Sequence, residues 1–203
     1  MSALEQTYYT PEQYLEMDRK AEFRSEYVNG EILAMAGASR EHNLIVTNLV
    51  REVSLALRGK PCETYSNDMR VTVNATRYAY PDVVVACGGP QFIDGQLDTL
   101  LNPTVIMEVL SPTTAGDDRS WKFAYYRRLE TLTNYVMLSQ FQPFIEHYTR
   151  QDTQWVLTEV AGLDAVLRLP SISCDLPLPL IYERVEFAPD PEMPMLEFWK
   201  DTQ

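Results

Sequence analysis

At 203 residues the chain exceeds the usual single domain of roughly 100–150 residues, yet it fits one domain with appendages. Apolar content of 45% with 11% aromatics excludes bulk disorder. A formal net charge of -12 argues against broad, non-specific nucleic-acid binding, which needs Lys and Arg to neutralise phosphates, but it leaves room for a local basic surface.

No window of about 18 uncharged apolar residues is present, so no membrane-spanning helix is expected. Residues 1–6, Met1 to Gln6, show no basic start leading into an apolar run, so a signal peptide is not expected. Cys62, Cys87 and Cys174 are odd in number, far apart and without metal-ligand spacing. They read as free thiols in a reducing, cytoplasmic setting.

Thr10-Pro11-Glu12 ahead of Tyr14, Leu15 and Met17 predicts a short helix with Thr10 as its N-cap and Pro11 at the first position. Asn29-Gly30 between Glu26-Tyr27-Val28 and Glu31-Ile32-Leu33 predicts a two-residue hairpin, because both turn residues tolerate positive φ. Ser39 is placed to cap a helix whose Ile45, Leu49, Val53 and Leu57 share one face. Gly59 and Pro61 end it.

Strand-like runs follow at Cys62–Tyr65, Met69–Val73, Tyr80–Ala86 and Thr104–Leu110. Thr113–Asp117 leads into a helix with the stripe Trp121, Tyr125, Leu129 and Leu132; a strand at Asn134–Leu138 comes next. A hairpin from Ile145 to Leu157 turns near Gln151-Asp152, and Leu176–Tyr182 reads as a short helix. This order predicts an α/β fold (a mixed sheet with a helix on each face and a partly antiparallel meander). Residues 1–183 form the expected domain, and 184–203 an acidic, proline-rich tail that straps across the body or meets a partner.

Asp82 and Glu108 interrupt apolar runs that read as buried strands. A lone buried carboxylate carries a penalty of roughly several kcal/mol unless a cation or strong donors compensate. Alternation puts Val105, Met107 and Val109 on one face of their strand and Ile106, Glu108 and Leu110 on the other. Asp82 starts its own run, so two adjacent strands would bring both acids within reach of one divalent ion, with the Val109 carbonyl as a further oxygen ligand. Such hard donors suit Mg2+ or Mn2+. Lys122 falls at the margin of the helical stripe, with Asp118 and Tyr126 one turn to either side. An ammonium there would stabilise an attacking hydroxide and oppose charge growing on a phosphate. Lys122 also reads as a structural partner of Glu108 or Asp118, and Asp82 after Pro81 as a turn residue.

Tyr80-Pro81-Asp82, Glu108-Val109-Leu110-Ser111-Pro112, and Asp118 and Lys122 with Tyr125-Tyr126 together resemble a large bacterial family of restriction-endonuclease-like proteins within the PD-(D/E)XK nuclease superfamily. The Glu26 to Ile32 hairpin and Ser39-Arg40-Glu41-His42-Asn43 share that resemblance, which runs from about Tyr8 to Tyr182. It implies an αβββαβ core with extra hairpins, divalent-metal dependence and phosphodiester hydrolysis. The superfamily pattern places its lysine two residues after the glutamate, where this chain has Leu110; Lys122 stands as the substitute. The resemblance also brings Glu26 toward the metal, although an exposed strand acid is an equal reading. His42 reads as a surface or capping residue.

The expected activity is a magnesium-dependent endodeoxyribonuclease, acting on DNA as a homodimer, with Asp82, Glu108, Lys122 and Glu26 catalytic and Asp82, Glu108 and Val109 holding metal. The alternative is a nuclease fold turned binding or assembly module, which the missing strand lysine and the net charge of -12 both favour.

Overall fold

Thr10 starts the fold as expected: its hydroxyl accepts from the Gln13 amide, and the Gln13 side chain answers the Thr10 amide, so helix α1 (Pro11–Lys20) begins in a capping box. The structure, a computed structural model, describes residues 7–35 and 37–189. Strands β1 (Ser25–Val28) and β2 (Glu31–Ala34) form the hairpin, with Asn29 and Gly30 at φ 51° and 100°. Helix α2 (Arg40–Ala56) is capped by Ser39 and buries Ile45, Leu49 and Val53 on one face. Each such side chain contributes about 1.5–3 kcal/mol through burial.

Two sheets share the strands that follow. β3 (Cys62–Ser66) and β6 (Val83–Cys87) belong to the larger sheet; β4 (Arg70–Asn74), β5 (Arg77–Ala79) and β7 (Thr99–Leu100) join β1 and β2 in the smaller one. The run expected as one strand, Tyr80–Ala86, therefore becomes strand only from Val83 onward. β5 ends at Ala79, Tyr80-Pro81-Asp82 crosses between the sheets, and β6 begins at Val83. Pro81 has no amide hydrogen to donate to a ladder, which suits a crossing point.

The central strand β8 (Val105–Leu110) is buried at every residue. It pairs antiparallel with β6 and parallel with β9 (Asn134–Ser139). β10 (Phe144–Gln151) and β11 (Gln154–Ala161) complete the order β11-β10-β9-β8-β6-β3. Alternation along β8 holds. Val105, Met107 and Val109 pack with α2, and Ile106 and Leu110 pack on the opposite side with Tyr126, Leu132 and Tyr135. β12 (Val166–Leu169) and β13 (Cys174–Pro177) add a hairpin beneath α2, and helix α5 (Leu178–Ile181) follows; this hairpin is absent from the sequence-based expectation.

The helix after β8 is shorter than its stripe predicts. It runs as α3 (Ala115–Asp117), a π-helical turn (Asp118–Lys122) and α4 (Phe123–Tyr126). The Arg150 guanidinium donates to the carbonyls of Arg127, Leu129 and Leu132 at 2.6–2.8 Å, so the chain leaves the helix with its carbonyls satisfied. Leu132 remains fully buried, but in the connection to β9.

The cysteine reading requires correction. Cys62 stands directly opposite Cys87 across β3 and β6, with Cα atoms 4.0 Å apart, and the two form a disulfide. Their separation of 25 residues hid a pairing that strand register creates. Cys174 is a free, buried thiol. No helix among the described residues is long and apolar enough to cross a membrane. Most of the expected acidic tail, from residue 190 onward, lies outside the described residues.

Candidate active site

The pairing of β6 with β8 brings Asp82 to Glu108. Val83 lies opposite Met107, so one register step outward the two acids meet. The Asp82 amide donates to Glu108 Oε2 at 3.3 Å, and the Val109 amide donates to Asp82 Oδ2 at 2.7 Å. Val109 thus enters the site through its N–H, which fixes the Asp82 carboxylate.

Two residues before Asp82, Tyr80 is anchored in a buried network that the sequence reading missed. Its hydroxyl accepts from Arg70 Nε at 3.0 Å and donates to the Asp18 carboxylate. Arg70 pairs with Asp18 at 2.7 Å, the two side chains being 1% and 0% exposed. Arg70 also donates to Thr99 Oγ1 at 2.7 Å, and Asp18 accepts from the Ser25 amide and hydroxyl at 3.0 Å. A buried charge pair of this kind requires its remaining donors and acceptors to be met, and here they are. Asp18 sits on α1 and Arg70 on β4, 52 residues apart, so no local pattern announces them.

Lys122 reaches the acids from the π-helical turn. Its Nζ lies 3.0 Å from Asp118 Oδ1, 3.1 Å from Glu26 Oε1 and 3.6 Å from Glu108 Oε1. Asp82, Glu108, Lys122 and Glu26 are thus gathered in one place, together with Asp118. The π-helical turn widens the helix where Asp118 and Lys122 both face Glu108, a device frequent at functional sites. Glu26 arrives on β1, from the smaller sheet, so the site lies where the two sheets meet.

His42 stands in the cleft rather than on the open surface. Its Nε2 is 3.2 Å from Asp82 Oδ2, and its Nδ1 is buried without a hydrogen-bond partner. The cleft, of about 320 Å³, is lined by Glu26, Asp82, Glu108, Lys122 and His42, with Met35 and Ser111 also on its wall. Two signals could have directed attention to His42: the Ser39 cap, which fixes where α2 begins and with it where the third helical residue points, and the resemblance that includes Ser39 to Asn43.

Electrostatically the cluster lacks positive charge. Burial raises Glu108 well above the usual carboxylate range; Lys122 opposes this, while Asp118, Asp82 and Glu26 add to it. Burial likewise raises Asp118 against the pull of Lys122. Burial alone would lower Lys122, but Glu108, Asp118 and Glu26 outweigh it and hold the ammonium charged. Glu108 Oε1 and Tyr126 Oη are buried and accept or donate no hydrogen bond among the described residues.

These features fit a hard divalent cation. Among the described residues no three His, Cys, Asp or Glu side chains form a ready metal cage. Magnesium does not need one, since it is commonly held by one or two carboxylates with waters and substrate phosphates. Asp82 and Glu108 can supply the two carboxylates, and Glu108 Oε1, which accepts no hydrogen bond among the described residues, is suited to such an ion.

Comparison with known proteins agrees with this architecture. Two uncharacterized proteins of Synechocystis sp. are similar: one is 39% identical over 77% of this chain and 89% of its own length. The other is 32% identical over 88% of this chain and 93% of its own. A crystal structure described as "a putative nuclease belonging to DUF820 from Anabaena variabilis ATCC 29413" superposes with a TM-score of 0.70 over 88% of this chain and 99% of that one. At 16% identity that likeness concerns the fold. A family profile matches residues 11–180, and the chain therefore belongs to the Uma2 family, described as "Putative restriction endonuclease".

Proposed function

We propose that the protein is a metal-dependent endodeoxyribonuclease that hydrolyses DNA phosphodiester bonds. The observation that carries this reading is the meeting of Asp82 and Glu108, from adjacent strands, with the Lys122 ammonium in one cleft. The order α2, β3, β6, β8, α3–α4, β9 supports it, because it follows the αβββαβ succession implied by the resemblance once the smaller sheet is set aside.

Asp82 and Glu108 would hold a magnesium or manganese ion, with the Val109 carbonyl as a further oxygen. When bound, the ion supplies Lewis-acid charge to the scissile phosphate and makes water a stronger nucleophile at neutral pH. Lys122 takes the place of the lysine that Leu110 cannot provide: its ammonium orients the attacking water and offsets charge that grows on the phosphate. Glu26 and Asp118 hold that ammonium in position. The Val109 amide keeps the Asp82 carboxylate aimed into the cleft. A homodimer suits duplex cleavage, since a two-fold axis presents one site to each strand.

A second reading, a binding or assembly module, draws on the same contacts: three carboxylates around one lysine also make a purely structural ion cluster. Magnesium linkage separates the two. A working site takes up the ion and raises Tm with its concentration, because a ligand bound only to the native state stabilises it. Asp82→Ala abolishes that rise. No Tm response to magnesium or manganese in the wild type would favour the module.

A further inference from the structure

The arginines are not all satisfied in the same way. Arg19, Arg24, Arg40, Arg51, Arg70 and Arg119 each pair with a carboxylate, as expected in a chain of net charge -12. Arg77, Arg127 and Arg128 stand apart from these carboxylate pairs among the described residues. They are instead laid on aromatic rings of α4. The Arg77 guanidinium carbon is 3.5 Å from the Tyr125 ring centroid, and that of Arg128 is 4.9 Å from the same ring. Arg127 lies 5.8 Å from the Phe123 centroid. The Arg77 Nε is buried and unpartnered.

This arrangement continues directly from the cleft. Tyr125 follows Lys122 by three residues, about 4.5 Å along a helix axis. Arg77 begins β5 opposite Val28 of β1, two residues from Glu26. Cation–π stacking fixes a guanidinium without neutralising it, so its donor edge stays available to an anion. Three oriented guanidiniums, fixed by the rings and spaced along one strip beside the cleft, match the regularly repeated phosphates of a nucleic-acid backbone better than the flexible, irregular carboxylates of an acidic peptide.

We infer that Arg77, Arg127 and Arg128, held on Tyr125 and Phe123, grip the nucleic-acid backbone beside the scissile bond. The inference rests on the nuclease reading for its substrate, but it is tested by binding alone. Labelled 30-residue single-stranded and duplex oligonucleotides are titrated by fluorescence anisotropy in EDTA, which prevents cleavage. Arg77→Gln/Arg128→Gln should weaken binding roughly tenfold and reduce the slope of log K against log salt by about 2, one for each lost phosphate contact. Tyr125→Phe, which keeps the ring, should bind like the wild type, and Tyr125→Ser should weaken binding at unchanged Tm. Arg58→Gln, at an unpaired arginine elsewhere in the chain, should leave both quantities unaltered.

An unchanged slope in the Arg77→Gln/Arg128→Gln protein, with wild-type Tm, would overturn the inference. So would failure of the wild type to bind either oligonucleotide, or equal displacement of DNA by polyglutamate. Binding that depends on these arginines without cleavage by the metal-loaded wild type would sink the nuclease reading and leave the surface standing. Cleavage with arginine-independent binding would do the reverse.

Discussion

Lys122 Nζ lies 3.6 Å from Glu108 Oε1, yet the two residues stand on different elements and are joined only by the fold. In the superfamily pattern the lysine shares a strand face with the glutamate; here that position is Leu110, packed into the core beside Tyr126 and Tyr135. The π-helical turn returns an ammonium to the same carboxylate from above the sheet.

Removing that ammonium should be costly. Lys122→Met leaves Glu108 and Asp118 buried without a cation, and breaking such a cluster costs about 3–5 kcal/mol. Adding Glu108→Gln should return part of the loss, because the two sites are in contact and coupling energies of roughly 0.5–3 kcal/mol are usual. Urea denaturation of the four proteins in the cycle gives the coupling directly; strict additivity would contradict the contact.

Asp18 and Arg70 should matter as much to folding as the cleft. Burial pushes Asp18 up, but hydrogen bonds from Tyr80, Arg70 and Ser25 outweigh it and hold the carboxyl below its usual range. Its contribution is therefore present above pH about 4 and is lost as pH falls through the lower native value. Asp18→Asn should cost about 3–5 kcal/mol at pH 7 and much less near pH 2, as followed by urea midpoints at both pH values.

His147 predicts a milder acid effect that begins earlier. Burial lowers its imidazole from the usual 6.5, and its Nε2 meets Asn134 Oδ1 at 2.7 Å. Below pH 6.5 the unfolded chain binds the proton more readily than the native one, so stability falls with pH until the native imidazole also titrates. His147→Gln removes a titrating group while keeping polar atoms there. Its Tm should decline less steeply than the wild type's between pH 6.5 and 5, and equal slopes would reject the assignment.

The Cys62–Cys87 bridge closes a loop of 25 residues. Chain-entropy reasoning gives such a cross-link about 3–4 kcal/mol. Dithiothreitol should lower Tm accordingly, while Cys62→Ala/Cys87→Ala should show no further response to the reductant. A wild-type Tm indifferent to reduction would count against the bridge.

What the sequence made legible was local. Thr10, Asn29-Gly30 and Ser39 announce their elements because caps and tight turns depend on neighbouring residues, and the alternation of Val105 to Leu110 correctly set Glu108 apart from Met107 and Val109. Less accessible were the features created by register and crossing. Tyr80-Pro81-Asp82 reads as strand because its flanks are apolar, whereas it passes between two sheets. The disulfide, the Asp18–Arg70 pair and the approach of His42 to Asp82 all join distant segments, and composition carries no trace of them. The helix past β8 was overextended because Leu129 and Leu132 keep its period after Arg150 has already taken over its carbonyls.

The nuclease reading is tested most directly by incubating the purified protein with supercoiled plasmid in magnesium or manganese, beside Asp82→Ala. The wild type should nick or linearise the plasmid in a metal-dependent way that EDTA stops and the Asp82→Ala protein lacks. Equal cleavage by wild type and Asp82→Ala, or an intact plasmid with either metal, would contradict that reading.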